Sequence, residues 1–443
     1  MEKLKKYLYW ATIGLFAYMP FHIFLSQWLS TYTNGLDAWK IAKDVFTAIL
    51  VSILVCMVLI SRKYTKSYLI LLGFAAVYLL LHIALLIGTN QPADTGLLAT
   101  VYNNRLIWYV LIGYSLAIIA PKLTKPRRFV EVLLVASTVV CLFGFAQRFL
   151  PPDFLTNFGY SIERGTKPNF FIDDKPDLPR VFSTIRDPNS LGAFLILPST
   201  IVLLALIRFW RTSKRMFLIG LLMLHGLINI LTFSRSSFLG MLMTHVFVTL
   251  YLFKDWTRVY IRRFAIPIVI LMMVLGGTVF IWRDAYFVQN TVFHADESTT
   301  LADPNELRVQ LAQKGFDGVA ANPEGNGPGA AGLVSTKLKN GGLLTENYYL
   351  QIAYEVGLVG LALFIGFLAY VISQLWSRRH SLITQALLAS FIGLSFMNLL
   401  LHTWSNEAVA VSWFMLAGVV MGQPVRKFLS LNTIKQKRNI STG

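Results

Sequence analysis

The sequence predicts an all-α protein: a polytopic membrane bundle of about twelve transmembrane helices with two long extracytoplasmic loops. Three observations predict it. Of the 443 residues, 55% are hydrophobic and only 14% charged, with a mean hydropathy of +0.57, more apolar surface than a soluble chain of this length can hide. Apolar runs of about 18–22 residues recur, each long enough to cross roughly 30 Å of hydrocarbon as a helix. Basic residues gather in alternate connections, the pattern left by the positive-inside rule.

The first span, 8–29, follows Lys3, Lys5 and Lys6, contains Pro20 and His22, and lacks a small-residue cleavage end. It reads as a retained helix, not a signal peptide. Spans at 41–61 and 68–88 flank Arg62, Lys63 and Lys66, and spans at 102–120 and 129–149 flank Lys122, Lys125, Arg127 and Arg128. The first long loop, 150–188, leads to a sixth span at 189–207, after which Arg208, Arg211, Lys214 and Arg215 follow. Spans at 216–233 and 236–253 have almost no loop between them and so form a tight hairpin. Lys254, Arg258, Arg262 and Arg263 precede a ninth span at 264–282, and the larger loop, 283–345, precedes a tenth at 346–374. Arg378 and Arg379, then spans at 382–402 and 408–422, complete the bundle, and a basic tail runs from Arg426 through Lys427, Lys435 and Lys437 to Arg438. With the basic connections inside, both termini are cytoplasmic and the protein sits in the cell inner (cytoplasmic) membrane. Reporters fused at 212 or 258 are therefore expected in the cytoplasm and one at 320 outside it; a cytoplasmic 320 would overturn the site argument below.

The two long loops are rich in Gly, Pro and Asp, far exceed the median connection of about 4–6 residues, and permit short helices and turns but no large independent fold. Residues 1–443 therefore read as one transmembrane domain. Topology accounts for most of the net charge of +18. No basic block exceeds a juxtamembrane cluster, so nucleic acid is not an expected partner. Cys56 and Cys141 fall inside spans, where both are expected as small buried apolar residues, without disulfide or zinc spacing. His225 and His245 lack partners at ligand spacing, and Asp173-Asp174 and Asp296-Glu297 make no metal motif. No metal and no cofactor are expected.

Against this frame, three arginines are misplaced. Arg180, Arg186 and Arg235 map to the outer face, whereas basic residues gather inside, and Arg near hydrocarbon costs roughly 2.5–3.5 kcal/mol at a helix centre on insertion scales. In Pro179-Arg180-Val-Phe-Ser-Thr-Ile-Arg186-Asp187-Pro188-Asn189-Ser-Leu-Gly192, Asp187 suits an N-cap and Pro188 the first helical position. A helix starting there sets free N–H groups and a positive dipole end beside Arg186, a ready anion site. The alternative is simple pairing with Asp173, Asp174 or Asp177.

In Thr232-Phe-Ser234-Arg235-Ser236-Ser237-Phe-Leu-Gly240 the hairpin keeps Arg235 near hydrocarbon among small hydroxyl residues, and Gly240 admits another helix. A protein-lined polar cavity competes here with plain snorkelling to the headgroups. At Thr345-Glu346-Asn347-Tyr348, Thr345 can cap the tenth span and leave Glu346 in its first turn. Glu346 is then either a general base near a sugar hydroxyl or a residue that favours the helix dipole. Arg308, in a predicted helix at 303–320, could face the same site; a solvated helix face is the plainer reading. Gly327-Pro-Gly329-Ala-Ala-Gly332 matches G-x-G-x-x-G, yet no strand precedes it and no βαβ unit surrounds it, so the dinucleotide reading fails. The run from Asn322 to Gly329 reads instead as a tight loop returning the chain to the membrane.

Spans six, eight and ten all enter from the outer side, so the termini carrying Arg186, Arg235 and Glu346 meet there. Arginines to neutralise a departing pyrophosphate and a carboxylate to deprotonate a hydroxyl suit transfer from a lipid-linked sugar.

These residues resemble the O-antigen ligase and polymerase superfamily of bacterial membrane glycosyltransferases over about residues 179–375. The resemblance rests on R-x8-N-x2-G (Arg180, Asn189, Gly192) and T-F-S-R-S-S-x-L-G (Thr232 to Gly240). It continues from Arg308 through N-P-x-G-x-G-x-G to E-N-x-Y-L-Q-x-x-x-E-x-G-L-x-G (Glu346 to Gly360). It implies a metal-independent GT-C-type enzyme holding an undecaprenyl-pyrophosphate-linked glycan with outer-face arginines, and a glycan or glycolipid acceptor, all at the lipid bilayer. It implies donor-binding roles for Arg180 or Arg186 and for Arg235, with Asn189, Ser234, Arg308 and Asn347 as further substrate-binding candidates. Ligases acting on lipid A core resemble this chain less at Glu346, where they carry His, which favours a polymerase or a ligase for another acceptor. The competing class is a lipid-linked oligosaccharide flippase, but no half-to-half repeat is visible and the charged candidates sit at one face, not at the midplane.

Overall fold

The computed structural model describes residues 2–252, apart from 34 and 173–174, and then 304–336 and 342–424. The predicted ninth span, the first part of the second loop, Asp173-Asp174, Asp296-Glu297, the basic groups at 254–263 and the C-terminal tail lie outside the described residues. The molecule is an all-α polytopic membrane protein. Among the described residues six helical segments are long and apolar enough to cross a membrane, and shorter apolar helices lie among them.

The first predicted span is two helices, α1 (Glu2–Tyr18) and α2 (His22–Thr33), split by a 3-10 turn at Met19–Phe21. Pro20 lies in that turn, where its ring cannot continue an α-helix. Then come α3 (Leu36–Ser61), α4 (Lys66–Gly88), α5 (Ala93–Ile119) and α6 (Pro126–Gln147). The segment α5 starts well before the predicted 102, and its added turns are partly buried in the bundle through Thr95, Ala99 and Thr100, so they need not be apolar throughout. After the first long loop come α7 (Pro188–Arg208), α8 (Arg215–Leu231) and α9 (Arg235–Leu252), followed by α10 (Pro304–Ala321), which matches the predicted 303–320. The described chain closes with α11 (Tyr348–Trp376), α12 (Leu382–Asn398) and α13 (Glu407–Met421), the last wound as a π-turn over Val411–Met415.

Helices α5 and α13 pack on each other at the centre, with α3, α4, α6 and α7 around them. The outward faces carry large apolar side chains, among them Ile49, Ile53 and Ile60 on α3 and Leu80, Ile83 and Ile87 on α4. That pattern matches a lipid solvent. Cys56 faces outward on α3, unlike the buried Cys141, which corrects the expectation that both are interior. His225 and His245 make interhelical polar contacts, to Ser137 and Ser199, each at 3.1 Å. At Gly240 the carbonyl of Gly393 lies against the bare Cα, so α9 and α12 touch backbone to backbone.

The first long loop holds a 3-10 turn, Phe154–Phe158, and a two-stranded antiparallel hairpin, β1 (Phe171–Ile172) with β2 (Lys175–Pro179). It seats on Leu155, Tyr160 and Phe182, which are packed with Phe24 and Phe143. Its last stretch, Val181 to Ile185, is buried as irregular backbone. Such backbone inside a bundle needs protein partners. It has them: Gln147 Oε1 accepts from Phe182 N and Ser183 N, Ser183 Oγ donates to Val140 O, and Thr184 Oγ1 donates to Pro20 O.

The second loop ends on a break in α11. Gly357 has φ +72°, outside helical geometry, in the middle of the helix. The Asn322–Gly332 loop replaces the lost bonds. Asn326 N donates to Tyr354 O, Gly327 N to Glu355 O, and Leu358 N to Pro323 O, each at 2.9 Å. Buried Glu355 completes the joint, accepting from Gly329 N at 3.1 Å and from Asn103 Nδ2 of α5 at 2.7 Å. The glycine-rich run thus finishes a helix. At Gly357 a Cβ would meet the Pro323–Glu324 backbone and a positive φ disfavours any L side chain. Gly357→Ala is expected to lower stability by more than about 1 kcal/mol, read as a fall in the thermal midpoint of the detergent-solubilised protein.

Candidate functional site

The N-terminal ends of α7, α9 and α11 meet at the end of the bundle that carries the two long loops. For α7 the local chemistry is as the sequence predicts. Asp187 is the N-cap, its side chain accepts from Ser190 N at 2.9 Å, and Pro188 opens the helix. For α9, Ser234 lies just before Arg235 and its Oγ accepts from Ser237 N at 3.3 Å. For α11 the prediction needs correcting. Asn347, not Thr345, is the N-cap, its Oδ1 accepting from Leu350 N at 3.0 Å. The helix starts at Tyr348, so Glu346 lies outside the first turn, in a left-handed conformation with φ +49°. That conformation is uncommon and costs a non-glycine residue about 1–3 kcal/mol unless its surroundings hold it. Thr345 Oγ1 holds the corner instead, donating to Asn347 O at 3.0 Å and lying 3.3 Å from His402 Nε2.

Two cavities lie here side by side. The first, about 360 Å³, is lined by Arg180, Ser234, Arg235, Arg308, Leu239 and Leu400 among others. Its rim is apolar on one side, since Leu239 and Leu400 are exposed. The second, about 550 Å³, is lined by Lys167, Arg186, Glu346, His402, Ser405 and Asn406 among others. Asn189 and Leu401 line both, so the cavities share a wall. A further cavity of about 250 Å³ adjoins the first through Arg180 and contains Arg148, Phe170 and several prolines.

The two arginines six residues apart are thus parted. The buried stretch Val181–Ile185 separates Arg180 from Arg186 and delivers one to each cavity. Arg180 is tied into its place, with Nε donating to Thr232 O at 2.9 Å and Nη2 to Asn189 Oδ1 at 3.0 Å. It thereby locks the start of α7 to the α8–α9 hairpin. Arg186 is exposed and makes no hydrogen bond or ion pair among the described residues; the pairing weighed with Asp173, Asp174 or Asp177 concerns side chains outside them. Arg308 is exposed, as the plainer sequence reading has it, and it also faces the site. From α10 it lines the first cavity, and its Nε donates to Glu346 Oε2 at 2.9 Å. Arg180, Arg235 and Arg308 therefore converge on one space, and Glu346 bridges that space to the next.

Behind the second cavity sits a cluster of buried charges that the sequence reading passed over. Arg105 of α5 donates to Glu407 Oε1 at 3.1 Å and, through a short bond, to Ser405 O. Lys43 lies 2.7 Å from Asp44 and 3.3 Å from Glu407, and the Arg105 guanidinium stacks over Tyr102 at 4.3 Å. Two cations and two anions balance, the condition under which buried charges are tolerable. The cluster fixes the Ser405–Glu407 stretch that forms part of the cavity wall. The available signal was a charged residue inside a predicted span, Arg105 at 102–120, and intramembrane charges mark function by default. Among the described residues no group of three or more His, Cys, Asp or Glu assembles as a metal site.

An arginine-lined space with an apolar rim can take an anionic head joined to an apolar tail, and a neighbouring polar space with a carboxylate at the junction can take a hydroxyl compound. Comparison with known proteins points the same way. Residues 218–365 match the family model described as O-antigen ligase. The likeness to the O-antigen ligase and polymerase superfamily thus holds over about a third of the chain and supports a ligase- or polymerase-type function in general. The matched stretch takes in Arg235, Arg308, Glu346 and the loop docked on Gly357, but not Arg180, Asn189 or Gly192. No curated protein matches the chain.

Proposed function

We propose, from that likeness and the paired cavities, that the protein transfers a glycan from an undecaprenyl-pyrophosphate donor to a sugar hydroxyl on the outer face of the cytoplasmic membrane. The observation that carries the reading is the convergence of Arg180, Arg235 and Arg308 on one cavity whose neighbour contains Glu346. The donor's pyrophosphate occupies the arginine cavity, with its polyprenyl chain leaving past Leu239 and Leu400 into lipid. The acceptor glycan enters the larger cavity beside Arg186, Asn189 and His402.

In the transfer, the acceptor oxygen bonds to the anomeric carbon of the donor sugar while that carbon's bond to the pyrophosphate oxygen breaks. The electron pair leaves with the pyrophosphate, whose developing charge the guanidinium groups stabilise. The hydroxyl proton passes to Glu346. Lys167 and Arg186 keep the second cavity electropositive, and Asn189, reaching both cavities, orients the two substrates.

The test is direct. Purified protein incubated with undecaprenyl-pyrophosphate oligosaccharide should yield longer or transferred glycan together with free undecaprenyl pyrophosphate. Movement of intact lipid-linked glycan across proteoliposomes without release of the pyrophosphate lipid would establish a flippase instead.

A further inference from the structure

The ion pair between Arg308 and Glu346 joins two groups that the transfer uses on different substrates. Arg308 comes from α10 and lines the arginine cavity; Glu346 comes from the corner before α11 and lines the other. Each is partly exposed, Arg308 by 45% and Glu346 by 25%. Ion pairs in such surroundings hold weakly and are screened by salt. A carboxylate accepting from Arg308 is unavailable as a base at that oxygen, and a guanidinium facing it already has an anion. The pair at 2.9 Å therefore engages both groups with each other, through Nε and Oε2. The same carboxylate marks a place where an anion can sit against Arg308, at the edge of the arginine cavity.

We propose that Glu346 stands in for the donor's pyrophosphate before the donor binds, and that the arriving pyrophosphate takes Arg308 and hands the carboxylate to the acceptor. This inference rests on the donor reading above. A pyrophosphate carries more charge than a carboxylate and meets Arg180 and Arg235 as well as Arg308, so it outcompetes Glu346 for the guanidinium. The left-handed backbone at Glu346 suits such an exchange. The residue is held in a strained corner by Thr345 and Asn347, so the side chain can swing without unwinding the helix, which is capped independently by Asn347. The consequence is an order of events. Glu346 becomes a base only after the donor is in place, and acceptor hydroxyls are not activated in its absence.

The experiment is a double-mutant cycle on binding of inorganic pyrophosphate to the full-length, detergent-solubilised protein, measured by calorimetry at fixed ionic strength. The proteins are wild type, Glu346→Gln, Arg308→Gln and the double variant, all at partly exposed positions, with size-exclusion profiles confirming the fold. Removing the competitor should tighten pyrophosphate binding about three- to fivefold, the size of advantage such a pair can hold back. The tightening should vanish when Arg308 is also replaced. Equal tightening with and without Arg308 would mean that losing a negative charge acts through space, and would overturn the exchange alone. No tightening would overturn it too. Pyrophosphate binding to none of the four would bring down the donor reading and the exchange together.

Discussion

Glu346→Gln is expected to slow transfer about 10²–10⁴-fold, the usual contribution of a positioned acid or base. The amide matches the carboxylate in size and can still accept from Arg308 Nε, but it cannot take a proton. Folding and donor binding should survive, since α11 is capped by Asn347 and does not depend on Glu346. The corrected geometry sharpens this test. A residue in the first turn could owe its charge to the helix dipole, worth typically 0.3–1 kcal/mol, whereas Glu346 precedes the cap and its charge is turned to Arg308. Normal turnover would remove Glu346 from the mechanism and leave activation to pyrophosphate departure.

The second large effect is expected at Arg235. Arg235→Ala should cost about 10²–10³ in turnover, the range for removing one preorganised donor from a developing anion. Arg235→Lys should fall between it and wild type, because the charge remains but the planar fork that grips two phosphate oxygens does not. The measurement is glycan transfer per mole of folded protein. Full activity in folded Arg235→Ala protein would reduce the residue to an anchor at the membrane boundary.

The parts legible in the sequence are those governed by local rules. Hydropathy located most of the described helices, Asp187-Pro188 fixed the start of α7, and the short link between α8 and α9 placed Arg235 at a helix start. The partition of the site was not legible. Arg180 and Arg186 read as neighbours along the chain, and only burial of Val181–Ile185 against Gln147, Val140 and Pro20 sends them to separate cavities. The pairing of Arg308 with Glu346 was not legible either. A helix of balanced polarity does not declare which face is covered, and its partner lies 38 residues away. Lys43, Asp44, Arg105 and Glu407 come from three distant helices, so their mutual neutrality exists only once those helices have packed.

The joint at Gly357 bears on how the protein is made. As α11 enters the bilayer during synthesis it brings a gap in its backbone bonding and the buried carboxylate of Glu355, a residue type costly at membrane depth. Both are satisfied by chain that has already emerged: the Asn322–Gly332 loop and Asn103 of α5. Insertion and completion are therefore separate steps, and between them the nascent protein displays an unfinished helix of the kind that membrane quality-control proteases remove. Substitutions at the loop glycines would accordingly reduce how much protein accumulates before they change how fast any surviving molecule works, and a chain cut short before residue 358 could not mature at all.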